Sequence, residues 1–121
     1  MKIYIGHSRN WDYKNKLYKP ILDSEINREN EIIFPHINEK TVNSKQIIQN
    51  ADLFIAEVSI PSLGLGIEIG RAEMQNKRIL CIYNKEFNCP SSLKFINADI
   101  IEYINEEDML KKIKNYINMI K

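Results

Sequence analysis

Five short runs rich in β-branched and aromatic residues punctuate this chain, and between them the apolar positions switch to helical spacing. That alternation restricts the fold more than any other feature. KIYIG (2–6), EIIFPH (31–36), DLFIAEV (52–58), KRILCIY (77–83) and ADIIEYI (98–104) read as strands. Leu17, Tyr18, Ile21, Leu22 and Ile26 predict a helix over 13–26 with Asp12 as its cap, kinked or restarted at Pro20. Ser44 caps a short helix over 44–51, a further helix covers 65–76, and 106–120 closes the chain as an amphipathic helix. The near-continuous apolarity of the first, third and fourth strands suits a parallel sheet covered on both faces. The expectation is one α/β domain over 1–121, a doubly wound, flavodoxin/Rossmann-like sheet of five parallel strands in the order 2-1-3-4-5.

Bulk properties narrow the function classes. Seventeen Lys and Arg against sixteen Asp and Glu leave a net charge of +1. Such a balance gives no phosphate-tracking surface, so a nucleic acid polymer is not an expected partner. No apolar run approaches the ~20 residues of a membrane span, so no membrane partner is expected. Cys81 and Cys89 lack the spacing of a zinc site and read as reduced thiols of a cytoplasmic protein, with no metal or other cofactor called for.

In a sheet of this order, the loops after strands one and three diverge at their carboxyl ends and make a ligand crevice. The rule nominates GHSRNW (6–11) and SIPSLGLG (59–66). The second loop feeds a helix whose first-turn N–H groups and dipole can seat a phosphate. Ser62, Gly64 and Gly66 fit that seat, and Arg9 can supply charge from the facing loop. Neither GxxxxGK[ST] nor GxGxxG is present, and SLGLG alone is equally a tight turn. Glu68, between Ile67 and Ile69, falls in the expected first turn of the helix. It is either a capping carboxylate or an ionised nucleophile able to attack a sugar's anomeric carbon. His7 could protonate a leaving base or serve only as a hydrogen bonder; His36 is a candidate base contact. Trp11 and Tyr13 could stack on a base or cover the first helix. Glu57 reads as a structural carboxylate.

The block ADLFIAEVSIPSLGLGIEIGRAEMQNKRILCIY (51–83) closely resembles the core of the nucleoside 2-deoxyribosyltransferase superfamily, and within it the 2'-deoxynucleoside 5'-phosphate N-hydrolases. KIYIGHSR and SSLK match more loosely. The resemblance implies that Glu68 is the nucleophile cleaving an N-glycosidic bond, and that Ser62 contacts the 5'-phosphate in a loop shaped by Gly64 and Gly66. It also implies that Gly6, Ser8 and Arg9 contact the sugar phosphate. Ser92, with Ser91 as the neighbouring alternative, would reach the phosphate from a second subunit of a homodimer or higher homo-oligomer. The family's aspartate before the third strand is replaced by Ser44, which moves its acid or base function elsewhere, to His7 or Glu39, or removes it. A family tyrosine lies beside the nucleophile; Tyr4 is one position out of that register, which on a strand predicts the opposite face. The implied activity is hydrolysis of (2'-deoxy)nucleoside 5'-monophosphates, because PSLG favours a phosphorylated small-molecule substrate. Alternatives are a deoxyribosyltransferase, a catalytically weak module binding a nucleotide or NAD-derived ligand, and an NAD glycohydrolase.

Overall fold

Residues of alternating parity along the central strands feed two separate cores. In the computed structural model, which describes residues 1–38 and 43–121, Ile3, Ile5, Leu53, Ile55, Leu80 and Ile82 serve one core. Tyr4, Phe54, Ala56, Ile79 and Cys81 serve the other. The strands β1 (Lys2–His7), β2 (Glu31–Ile33), β3 (Leu53–Glu57), β4 (Arg78–Asn84) and β5 (Asp99–Tyr103) form one sheet in the order β2-β1-β3-β4-β5. Every pair is parallel. The first core is closed by a π-helical turn (Lys14–Tyr18), α1 (Lys19–Leu22), α2 (Glu25–Glu29) and α5 (Glu106–Ile120), the second by α3 (Ser44–Gln49) and α4 (Leu63–Met74). The α/β architecture and strand order are those the alternation required. No helix among the described residues is long and apolar enough to cross a membrane, and both cysteines are free.

Local chemistry moves several boundaries. The helix expected over 13–26 is three pieces. Lys19 donates its N–H to the carbonyl of Lys14, five residues back, which widens the turn by one residue just ahead of Pro20. Pro20 then falls in the first turn of α1, where a missing N–H costs no hydrogen bond. Asp12 does not cap; its carboxylate accepts from the Asn15 side-chain amide. β2 stops at Ile33 and residues 35–38 form a turn, so His36 stands in a turn and not at a strand end. Asn43, not Ser44, caps α3 by accepting from the Lys45 N–H, and Ser44 becomes the first helical residue, only 5 % exposed.

Two features shape the carboxyl ends of the strands. Glu57 is buried and accepts from the Ser59 N–H at 2.6 Å, the Ser59 hydroxyl at 3.1 Å and the Tyr103 hydroxyl. Ser59 Oγ accepts in turn from the Asn84 N–H at 2.8 Å. The network ties the ends of β3, β4 and β5 together, which is the structural role expected of Glu57. Gly6, on β1, is required by packing: a Cβ there would stand 2.6 Å from Phe54 Cζ and 3.3 Å from Leu65 Cδ1.

Candidate active site

A crevice of about 440 Å³ opens beyond the carboxyl end of β1, between the loop after it and the start of α4. It brings together Glu68, Ser44, His7, His36, Arg9, Ser62 and Gly64 from the sequence-based set, and adds Asn10, Leu65, Ile67 and Arg71. A larger depression of about 600 Å³ lies at the amino ends of the strands. Its carboxylates are engaged by the fold: Asp52 accepts from the Lys2 N–H and Asp99 from the Tyr116 hydroxyl.

Glu68 is not a first-turn residue. Pro61 precedes Ser62, whose hydroxyl oxygen accepts the Leu65 N–H at 3.2 Å and caps the helix. The helix therefore begins at Leu63 and carries Glu68 in its second turn. The dipole, strongest in the first turn, is thus a smaller influence than the sequence suggested. A phenol takes its place. Tyr4 Oη donates to Glu68 Oε2 at 2.5 Å, which corrects the expectation that Tyr4 faces away. Tyr4 shares the parity of Phe54, stacks on it at 5.3 Å, and looks toward α3 and α4. Burial, followed by the neighbouring charge of Glu68, drives the Tyr4 phenol pKa up, so the proton stays on Tyr4 and the bond runs toward the carboxylate. Ser44 lines the same crevice as Glu68.

His7 lies on the other side of β1 by parity, within an aromatic group. Tyr13 stacks on it at 4.2 Å, and Tyr18 and His36 meet it edge-on at 5.0 and 5.4 Å. Its Nδ1 is 2.8 Å from the Ser8 carbonyl, which can only accept, so Nδ1 carries the proton. Nε2 then accepts from the Tyr18 hydroxyl at 2.5 Å, and Tyr18 accepts from the His36 N–H at 3.1 Å. Burial lowers the His7 pKa to about 4. His36 is lowered too, first by burial and then by the Arg9 charge, and its Nδ1 is buried without a hydrogen-bond partner.

Other sequence-nominated residues stand apart from the crevice lining. Gly6 packs against Phe54, and Ser8 is buried with its hydroxyl oxygen accepting the Asn10 N–H at 3.1 Å. Gly66 is exposed on α4, and a Cβ there would meet nothing within 4 Å, so the backbone does not demand glycine at that position. Ser91 and Ser92 are exposed on a 3-10 turn (Ser91–Phe95). Trp11 packs on the first core and lines a different cavity with Glu57. Glu39 lies outside the described residues. Arg71 was legible in principle, being three residues after Glu68 and so on the same helix face.

No family model matches the chain. The human 5-hydroxymethyl-dUMP N-hydrolase is 54 % identical over 39 residues, 32 % of this chain and 22 % of that protein. The Danio rerio 5-hydroxymethyl-dUMP N-hydrolase is 39 % identical over 64 residues, 51 % of this chain and 41 % of that protein. The matches thus span less than half the length of these curated relatives. The structure of a Clostridium botulinum CMP N-glycosidase superposes with a TM-score of 0.70 at 25 % identity, covering 94 % of this chain and 99 % of that one. In sequence and in fold, the chain is similar to these nucleotide N-hydrolases and to the CMP N-glycosidase.

Proposed function

We propose that the protein hydrolyses the N-glycosidic bond of (2'-deoxy)nucleoside 5'-monophosphates through a covalent Glu68 glycosyl intermediate, releasing free base and sugar 5-phosphate. The observation that carries this reading is the 2.5 Å bond from Tyr4 Oη to Glu68 Oε2 at the crevice wall. The phenol holds one carboxylate oxygen in place, which leaves the other, Oε1, as the proposed attacking atom. The relatives' named activities, on 5-hydroxymethyl-dUMP and CMP, support a nucleotide as substrate. Arg9, Ser62 and Gly64, which share the crevice near the start of α4, are proposed to seat the 5'-phosphate. Ser62 spends its oxygen on the Leu65 N–H. Its hydroxyl proton is left to donate.

The test is a panel of deoxy- and ribonucleoside 5'-monophosphates, the matching nucleosides, and NAD, assayed for free base with and without a second base as acceptor. Base release from the monophosphates, with kcat/KM at least about tenfold above the nucleosides, is the expected result, since a charged hydrogen bond to phosphate is worth ~1.5–3 kcal/mol. Tight binding without release would favour a nucleotide-binding module. Transfer to the added base would favour a transferase.

We further propose a homo-oligomer that brings Ser92 of a second copy to the phosphate. Leu63, Ile67 and Met74 are 83, 48 and 83 % exposed along one face of α4, open to a partner helix, and Ile67 also lines the crevice. Sedimentation equilibrium checks it, and a mass of 14.3 kDa at assay concentration would overturn it.

A further inference from the structure

A second cavity, of about 400 Å³, opens at the carboxyl ends of β3, β4 and β5, on the side of the sheet that carries the first core. It has the make-up of a small-molecule site, apolar walls with a few polar groups between them. The walls are aromatic. Trp11, partly buried against the first core, comes from the loop after β1, and Phe87, 45 % exposed, from the loop after β4. A 2.9 Å hydrogen bond from the Phe87 N–H to the Asn84 carbonyl closes the turn that carries Phe87. Glu57, Ser59 and Tyr103 also line the cavity, but their polar atoms are engaged with one another. Contact with a ligand therefore falls to the remaining side chains. Asn84 and Asn105 each commit the side-chain oxygen to a backbone N–H, that of Glu86 at 2.9 Å and that of Asp108 at 2.8 Å. Their amide NH2 groups are left as donors. Glu86 and Glu106 add acceptors, and these carboxylates outnumber Lys16.

We infer that this cavity binds an uncharged nucleobase bearing an exocyclic amino group, as the free base or as its nucleoside. Trp11 and Phe87 offer the π-faces on which a planar heteroaromatic ring stacks. The edge of adenine or cytosine sets amino N–H donors beside a ring-nitrogen acceptor, and the cavity supplies the counterparts of both, carboxylates for the amino group and amide N–H groups for the ring. A carbonyl in place of the amino group, as in uracil, would turn an acceptor toward those carboxylates. A phosphate is disfavoured for the same reason, since like charges repel and Lys16 alone does not offset them. The site thus selects base or nucleoside over nucleotide. Its lining shares no described residue with the crevice that holds Glu68. Base binding here goes beyond the proposed hydrolysis and does not rest on it.

The experiment titrates the full chain with adenine, cytosine and uracil, and with deoxyadenosine and deoxycytidine, following the fluorescence of Trp11, the one tryptophan of the chain, together with the heat of binding. Adenine and cytosine should quench Trp11 saturably. Uracil, a ring of the same size as cytosine, should bind at least about tenfold more weakly, because it leaves the carboxylates without a donor. The two nucleosides show whether the sugar is tolerated. Phe87→Ala, at a half-exposed position whose loss leaves the core intact, should weaken cytosine binding about tenfold, as removal of a stacking face does. Glu86→Gln, on the surface, should narrow the gap between cytosine and uracil. Unquenched Trp11 with no heat of binding, or equal affinity for cytosine and uracil, would overturn the inference. So would an affinity that Phe87→Ala leaves unchanged, which would move the base into the crevice. Failure of the chain to release base from any nucleotide would sink the proposed hydrolysis and leave this result untouched.

Discussion

Glu68→Gln is expected to lower base release by at least about 10³-fold while leaving nucleotide binding nearly unchanged. The amide matches the acid in size, and its carbonyl oxygen can still accept from Tyr4, so the local geometry survives. What disappears is the charged oxygen able to form an ester with C1'. Glu68 sits at the crevice on a partly exposed stretch of α4, and its loss leaves no buried ion unpaired. The effect should therefore fall on kcat, with KM for the monophosphate shifted little, because Arg9 and Ser62 are untouched. Rapid-quench measurement of free base, paired with a binding titration of the same protein, reads the two quantities separately. Full-rate release by the Glu68→Gln protein would exclude Glu68 as nucleophile. Equal losses in binding and release would point to a role in holding substrate rather than in attack.

The sheet was legible because its evidence is spread over many residues. Parity along β1, β3 and β4 survives an error of one position at any strand end, and the strand order followed from parallel strands joined by helices. The crevice was legible for the same reason, since it depends on topology. Relations set by single residues were not. Ser62 as cap starts α4 two residues early and carries Glu68 out of the first turn. Counting along the chain put Tyr4 on the wrong face, because a loop of unknown length separates it from α4 and only the assembled sheet shows its phenol within reach of Glu68. His7 read as a proton donor to a leaving base or as a hydrogen bonder only; nothing in the sequence indicated that Tyr18, eleven residues away, would occupy its second nitrogen. Asn10 was within the loop already singled out, but no local pattern there distinguishes a lining side chain from a solvated one.

Folding stability should fall as the pH drops from about 6.5 to about 4, and His7 should account for about 2 to 3 kcal/mol of the loss. The sign follows from where the proton binds. In the unfolded chain a histidine takes its proton near pH 6.5, whereas in the fold His7 resists it down to about 4. Across that window the unfolded state binds more protons, so acid favours unfolding; above it the contribution is complete. The cause is geometric. His7 is 4 % exposed, and a proton on Nε2 would face the hydroxyl proton of Tyr18. Reversing Tyr18 would not be free, because its oxygen already accepts the His36 N–H. Two other groups titrate nearby in pH. His36, also lowered, adds a loss of the same sign. Glu57, raised by burial, works the other way, since the fold holds its proton more firmly than the unfolded chain does. Urea unfolding of the native and His7→Gln proteins across this range separates the terms, because His36 and Glu57 are common to both. The difference in stability between the two proteins should shrink as the pH falls from 6.5 to 4. A difference that stayed constant would mean that the fold leaves the His7 pKa at its unfolded value, so that the ring takes up a proton near pH 6.5 and could serve as a donor to the leaving base.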